Sequence, residues 1–263
     1  MVNWKKAAVW CVISIALYEF IAFLAGWLIW ILFVQNGLFG SRIMIWTEQN
    51  SGLLVTGLAG AGAAAVFSFL DVSNLKKGED LKKESHFTWK DAGCVCVLAV
   101  SACIFFNSLL YILPLSSEMA GSYTETGTRI FSGPLPLQII TVCLAAPAGE
   151  EGAFRAFLFG RLRKEMGFIA SAVISSLMFG IYHGNMIQGI YGFFLGLLLC
   201  LVREIYGTMK APLLMHIAAN GVSAAVMGSG IYAGMEENTA VVWCLCSCCI
   251  LAGAAVCAVR NKK

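Results

Sequence analysis

The sequence predicts an all-α integral membrane protein of about eight transmembrane helices, forming a single domain over residues 1–263. Three observations carry that expectation. The chain is 59% hydrophobic and only 13% charged, far from the composition of a water-soluble domain. Several of its apolar runs exceed 18 residues, long enough for a helix to cross the hydrocarbon layer. The basic residues fall in the short connections between these runs, as membrane topology requires. The formal net charge of +3 is spread over those connections rather than gathered in one patch, which excludes a nucleic-acid footprint.

Lys5 and Lys6 precede an apolar run from Ala7 to Val34. This is too long for the core of a signal peptide and reads as an uncleaved first span. Glu19 lies inside it, either as an accessory site residue or as a carboxyl kept neutral or turned into the bundle. The second span, Ser51 to Leu70, carries Gly57, Gly60 and Gly62 among alanines, a small-residue surface for close helix packing. A polar loop from Asp71 to Asp91 follows, with five lysines and His86, read as a solvated histidine. The third span, Ala92 to Leu113, ends at Pro114.

The fourth span, Pro136 to Gly160, contains Glu150, Glu151 and Arg155, and Arg161, Arg163 and Lys164 close it. The fifth runs from Gly167 to His183, the sixth from Ile187 to Val202, the seventh from Pro212 to Met227 and the eighth from Thr239 to Val259. Eight spans put both termini on one side of the bilayer. That side holds nearly all the lysines and arginines, whereas the other holds Arg42 and Arg129. Both termini are therefore expected in the cytoplasm. The cysteines all lie in apolar runs. The close set Cys244, Cys246, Cys248 and Cys249 reads as small buried hydrophobes rather than as a metal or disulfide site.

Three polar constellations interrupt the apolar spans. A carboxylate or guanidinium at a bilayer centre costs about 2.5–3.5 kcal/mol on insertion scales, so each marks a candidate site. Glu151 and Arg155 are an i,i+4 pair in the favourable order and can neutralise each other. Glu150 projects about 100° away around the helix, where it is placed for general acid–base work. An ion pair that merely locks helices together accounts for Glu151 and Arg155 but not for Glu150. Phe179 and His183 are spaced i,i+4 on the fifth span. His216 and Asn220 are spaced i,i+4 on the seventh, so two donors leave one helix face, as an oxyanion requires. An interhelical hydrogen bond would use the same spacing.

Two chemistries fit this set. Two histidines and a glutamate are a ligand set for catalytic zinc, with the second glutamate as base, but the two histidines one turn apart that mark such sites are missing. Without a metal, Glu150 and His183 would deprotonate a water while His216 and Asn220 hold the developing oxyanion. No serine or cysteine sits in a recognisable nucleophile context, which favours water. Counting about 1.5 Å per residue, Glu150 and His216 fall near a third of the membrane depth and His183 near the outer edge.

The motifs Glu-Glu-x-x-x-Arg, Phe-x-x-x-His and His-x-x-x-Asn, in that order within apolar spans, resemble the CPBP family of CAAX proteases and bacteriocin-processing proteins, also called Abi. Flanking residues extend the resemblance: His183-Gly184, Gln188, Phe193 to Gly196, Tyr206 to Thr208 and Pro212 to His216. It covers about 137–222, the motif-bearing core. It implies an eight-helix CAAX-protease-like bundle and an intramembrane glutamic endopeptidase without metal cofactor. Glu150 corresponds to the catalytic glutamate, His183 to its partner, and His216 and Asn220 to the oxyanion pair, with Glu151 and Arg155 in support. The implied partners are the lipid bilayer and a hydrophobic or membrane-anchored peptide, in CAAX-like processing, pheromone-peptide processing or bacteriocin immunity. The compact chain resembles the bacterial kind, in the cell membrane. Two other readings stay open: a non-catalytic scaffold or immunity protein using the same polar core, and a transporter or proton relay, which no inverted repeat supports.

Overall fold

A computed structural model describes residues 3–35, 40–75, 87–113, 121–122, 125–127, 133–229 and 236–260. His86, Lys76, Lys77, Lys82, Lys83, Pro114, Arg129, Lys262 and Lys263 lie outside the described residues. The described chain is helical. In order it runs α1 (Trp4–Ile29), α2 (Ser41–Gln49), α3 (Ser51–Leu75), α4 (Trp89–Ile112), α5 (135–165), α6 (Phe168–Tyr182), α7 (Met186–Tyr206), α8 (Lys210–Ser229) and α9 (Glu237–Arg260). Each of the eight apolar runs expected to span has become a helix, and α2 is an additional short one. Among the described residues, five helical stretches are long and apolar enough to cross a membrane: Trp4–Phe33, Ser51–Asp71, Trp89–Ile112, Met186–Tyr206 and Glu237–Ala255. α6 is apolar but only 15 residues long, about 22 Å at 1.5 Å per residue and short of the ~30 Å hydrocarbon core.

The helix ends follow from local chemistry. Thr88 and Asp91 form a reciprocal capping box at the start of α4. Asn185 caps α7, its Oδ1 accepting from the N–H groups of Ile187 at 3.1 Å and Gln188 at 3.2 Å. Gly207 ends α7 at φ 63°, a left-handed position that glycine adopts without strain.

The helices divide into two compact units, Met1–Asp80 with Thr128–Ser171, and Leu81–Gly127 with Ala172–Lys263. In the first, α1, α3 and α5 pack on one another. The glycines of α3 permit the close approach. A Cβ on Gly60 would strike the Ala145 carbonyl of α5, and one on Gly149 would lie 2.6 Å from the Gly60 carbonyl oxygen. Gly57 faces Thr141, and Gly62 faces Ile21 of α1. Phe67 and Trp10 meet the Phe157 ring edge-on, and the Arg161 guanidinium lies 3.6 Å over it.

In the second unit α4 packs against α8 and α9, and α7 against α8. Val95, Leu98, Leu195, Leu199, Tyr206 and Met215 are at the centre of its core. Cys103 joins three helices there, with its Sγ 3.0 Å from the Tyr191 hydroxyl and 3.4 Å from the Ala219 carbonyl, to which the thiol donates. Of the Cys244–Cys249 set, Cys246, Cys248 and Cys249 are exposed rather than buried, and all are free thiols. Large apolar side chains are exposed throughout, among them Val12, Phe23, Phe69, Trp89, Ile169 and Leu245. In water that surface would drive association; in lipid it is the expected exterior.

Candidate active site

α5 carries the first polar cluster, and its backbone is not a regular α-helix. Two stretches, Ile139–Ala145 and Glu151–Phe159, are π-helical. In the first, the Ala146 N–H donates to the Thr141 carbonyl, five residues back. Pro147 follows directly and has no N–H to offer the Cys143 carbonyl at α-helical spacing. A change to five-residue spacing is the local remedy. The second wide stretch begins at Glu151, so Glu150 closes a regular turn and Glu151 opens a widened one. Such widenings recur at functional sites.

Within this stretch the expected pair forms. Arg155 Nη1 lies 3.2 Å from Glu151 Oε1, and the two side chains are 0% and 1% exposed. Glu150 is also buried, at 8%. Gly149 and Gly152 flank the carboxylates and let α3 approach closely on their side of α5. Three charged side chains are therefore held inside the first unit, at a cost that opposite charge within the set partly offsets.

The second unit holds the two histidines and Asn220. His183 sits in the turn between α6 and α7 rather than within a helix. Its N–H donates to the Gly180 carbonyl, and Gly184 turns the chain at φ 65°. The imidazole Nδ1 lies 2.8 Å from the Phe179 carbonyl oxygen. A carbonyl can only accept, so Nδ1 carries the hydrogen, which makes Nε2 the ring nitrogen at which a proton can be exchanged. Gly192 of α7 faces this ring: a Cβ there would come within 3.4 Å of His183 Nδ1.

His216, on α8, is 2% exposed. Phe179 links the two imidazoles. Its ring meets His183 edge-on at 4.7 Å and His216 edge-on at 5.7 Å between centroids. Asn220, one turn beyond His216 on α8, is half-buried. Phe179 was visible in the sequence only as the start of a spacing motif; the structure makes it the fully buried wall shared by both histidines. Asn185 was not singled out by the sequence, although a Gly-Asn pair between apolar runs signals a turn. It fixes that turn from both ends of its amide, with Nδ2 donating to Ser122 Oγ at 2.8 Å.

Residues 132–222 match the family model of type II CAAX prenyl endopeptidases, Rce1-like. The matched stretch includes all six residues singled out by the sequence motifs, from Glu150 to Asn220. A Bacillus subtilis (strain 168) protein named "Putative membrane peptidase YdiL" is 31% identical over 86 residues, which is 31% of this chain. The alignment spans only 35% of that relative's length. No solved structure matches the chain. The Rce1-like family is one of peptidases, and the stretch that matches its model holds the buried Glu151–Arg155 pair, Glu150 and the Phe179-linked histidines.

Proposed function

We propose that the protein is a polytopic membrane endopeptidase that cleaves hydrophobic or lipid-anchored peptides with a glutamate-activated water. The observation that carries this reading is a peptidase-family match whose span holds the buried Glu150 and the Phe179-linked His183 and His216. In this reading the chain is one membrane domain of eight spans with both termini in the cytoplasm of a bacterial cell.

The chemistry follows from the side chains. Glu150 takes a proton from water, and the water oxygen bonds to the scissile carbonyl carbon. His183 is the partner of Glu150, and its Nε2 suits it to receive and hold a proton during the attack. The charge that develops on the carbonyl oxygen is held by His216 and Asn220 as donors. Collapse breaks the C–N bond, and the proton taken from water passes to the leaving nitrogen. Glu151 and Arg155 hold α5 in place as a neutral pair. Metal takes no part in this scheme, so activity is expected to persist after treatment with a chelator.

The test compares membrane and secreted peptides from three strains: a deletion, the deletion carrying the wild type, and the deletion carrying Glu150→Gln at equal expression. A new peptide terminus seen only with the wild type is the expected result, and it identifies the substrate directly. Identical profiles, with the mutant restoring the biological phenotype, would favour a scaffold or immunity protein on a protease fold. CAAX-like processing, pheromone maturation and bacteriocin immunity are then distinguished by which peptide changes.

A further inference from the structure

The thiol of Cys103 is a buried polar group that the catalytic scheme does not use. The sequence places it in an apolar run, yet it sits where three helices of the second unit meet. Its Sγ lies 3.0 Å from the Tyr191 hydroxyl of α7 and 3.4 Å from the Ala219 carbonyl oxygen of α8. A thiol has one hydrogen, and the carbonyl can only accept it, so the Tyr191 hydroxyl is the donor to the sulfur. Ser223, one turn beyond Ala219, is hydrogen-bonded to the same thiol.

Both ends of this chain of bonds lie beside candidate site residues. Gly192 follows Tyr191 and faces the His183 ring. Asn220 follows Ala219. At 100° per residue, His216, Ala219, Asn220 and Ser223 fall within about 100° of arc, on one side of α8. The hydroxyl–thiol–carbonyl chain thus ties the stretch of α7 that walls His183 to the side of α8 that carries His216 and Asn220. Phe106 packs edge-on against the Tyr191 ring at 5.2 Å between centroids, so the ring is held even without its hydroxyl. Within α8 the Ala219 carbonyl also has a helical N–H four residues on, so the helix forms without the thiol. What the chain of bonds adds is the rotation and depth of α8 relative to α7, and a donor to a developing oxyanion tolerates little misplacement.

We propose that Tyr191 and Cys103 are positioning residues for Asn220, acting through α8 rather than on the substrate. The proposal rests on the peptidase reading above.

The test measures kcat and KM of the full chain in proteoliposomes, on a fluorogenic peptide spanning the junction found in the strain comparison. Tyr191→Phe, which keeps the ring, and Cys103→Ala should each lower kcat about tenfold at unchanged KM, less than the ~100-fold that a 1 Å misplacement can cost. Cys103→Ser, whose hydroxyl donates and accepts, should recover most of the turnover. On an Asn220→Ala background Tyr191→Phe should cost less than about twofold more, because the residue it positions is gone. A packing role alone would exert its full effect there and would lower the melting midpoint, which should stay near the parent's in Tyr191→Phe. Wild-type kcat in both Tyr191→Phe and Cys103→Ala overturns the proposal, as does an undiminished loss on the Asn220→Ala background. Cleavage by Glu150→Gln at the wild-type rate overturns the peptidase reading itself, and the positioning role falls with it.

Discussion

The side chains at positions 150, 151 and 155 are all buried, yet they call for different outcomes when changed. Glu151 and Arg155 form a contact pair with essentially no exposure. Removing either leaves the other's charge without its counter-ion in a low-dielectric setting, which costs about 3–5 kcal/mol for buried pairs. Glu151→Ala and Arg155→Ala should therefore lower the midpoint of thermal unfolding in detergent. If Glu151→Ala is as stable as the parent but inactive, the division of labour between the two glutamates is wrong. Asn220→Ala removes one donor and should reduce turnover by ~100-fold with little change in thermal midpoint, measured on the peptide found in the strain comparison. The pair was legible in the sequence because i,i+4 spacing is local. The tautomer of His183 was not, because it depends on the Phe179 carbonyl being presented by the last turn of α6.

At the scale of single helices, the sequence indicated where helices occur better than it indicated their form. Apolar length marks each of the eight expected helices. It carries no information about a hydrogen-bond ladder that shifts from four- to five-residue spacing, and the two π stretches of α5 were not foreseen. Pro147 was the available signal for the first; nothing comparable marks the second. α2 was also missed, because Ser41–Gln49 is short and mixed in polarity. The glycines of α3 were read correctly as a packing surface, and the structure gives them a target. A Cβ at Gly60 would meet the backbone of Ala145 and Ala146, which cannot swing aside as a flexible side chain does. Gly60→Val should force α3 and α5 apart, destabilise the protein by about 1–3 kcal/mol or more, and reduce activity through α5. Gly93, whose added Cβ would meet nothing within 4 Å, is the control: Gly93→Ala should leave the melting midpoint unchanged or slightly raised.

For the whole molecule, the number of helices that cross the membrane decides where the ends lie. Among the described residues, five helices meet length and composition requirements on their own. If only these crossed, the odd count would place the termini on opposite faces. Eight crossings place them on the same face. The three further helices are α5, α6 and α8, and each has a reason to fall short of a simple apolar criterion. α5 contains the charged set at 150, 151 and 155, α6 is about 22 Å long, and α8 carries His216 and Asn220. These are the features expected of helices that carry a polar site rather than face lipid. Charge also argues for the even count. Lys5 and Lys6 lie in the first turn of α1, Arg161, Arg163 and Lys164 end α5, Arg203 lies in the last turn of α7, Lys210 opens α8, and Arg260 closes α9. With eight crossings all of these share one face, as the positive-inside rule requires. With five, a crossing α9 would carry Arg260 to the face opposite Lys5 and Lys6. Fluorescent-protein fusions at each terminus should therefore both fluoresce in the cytoplasm, and alkaline phosphatase at the same positions should be inactive. A phosphatase-active C-terminus would mean an odd number of crossings, with at least one helix other than as assigned, and the catalytic scheme built on α5, α6 and α8 would have to be redrawn.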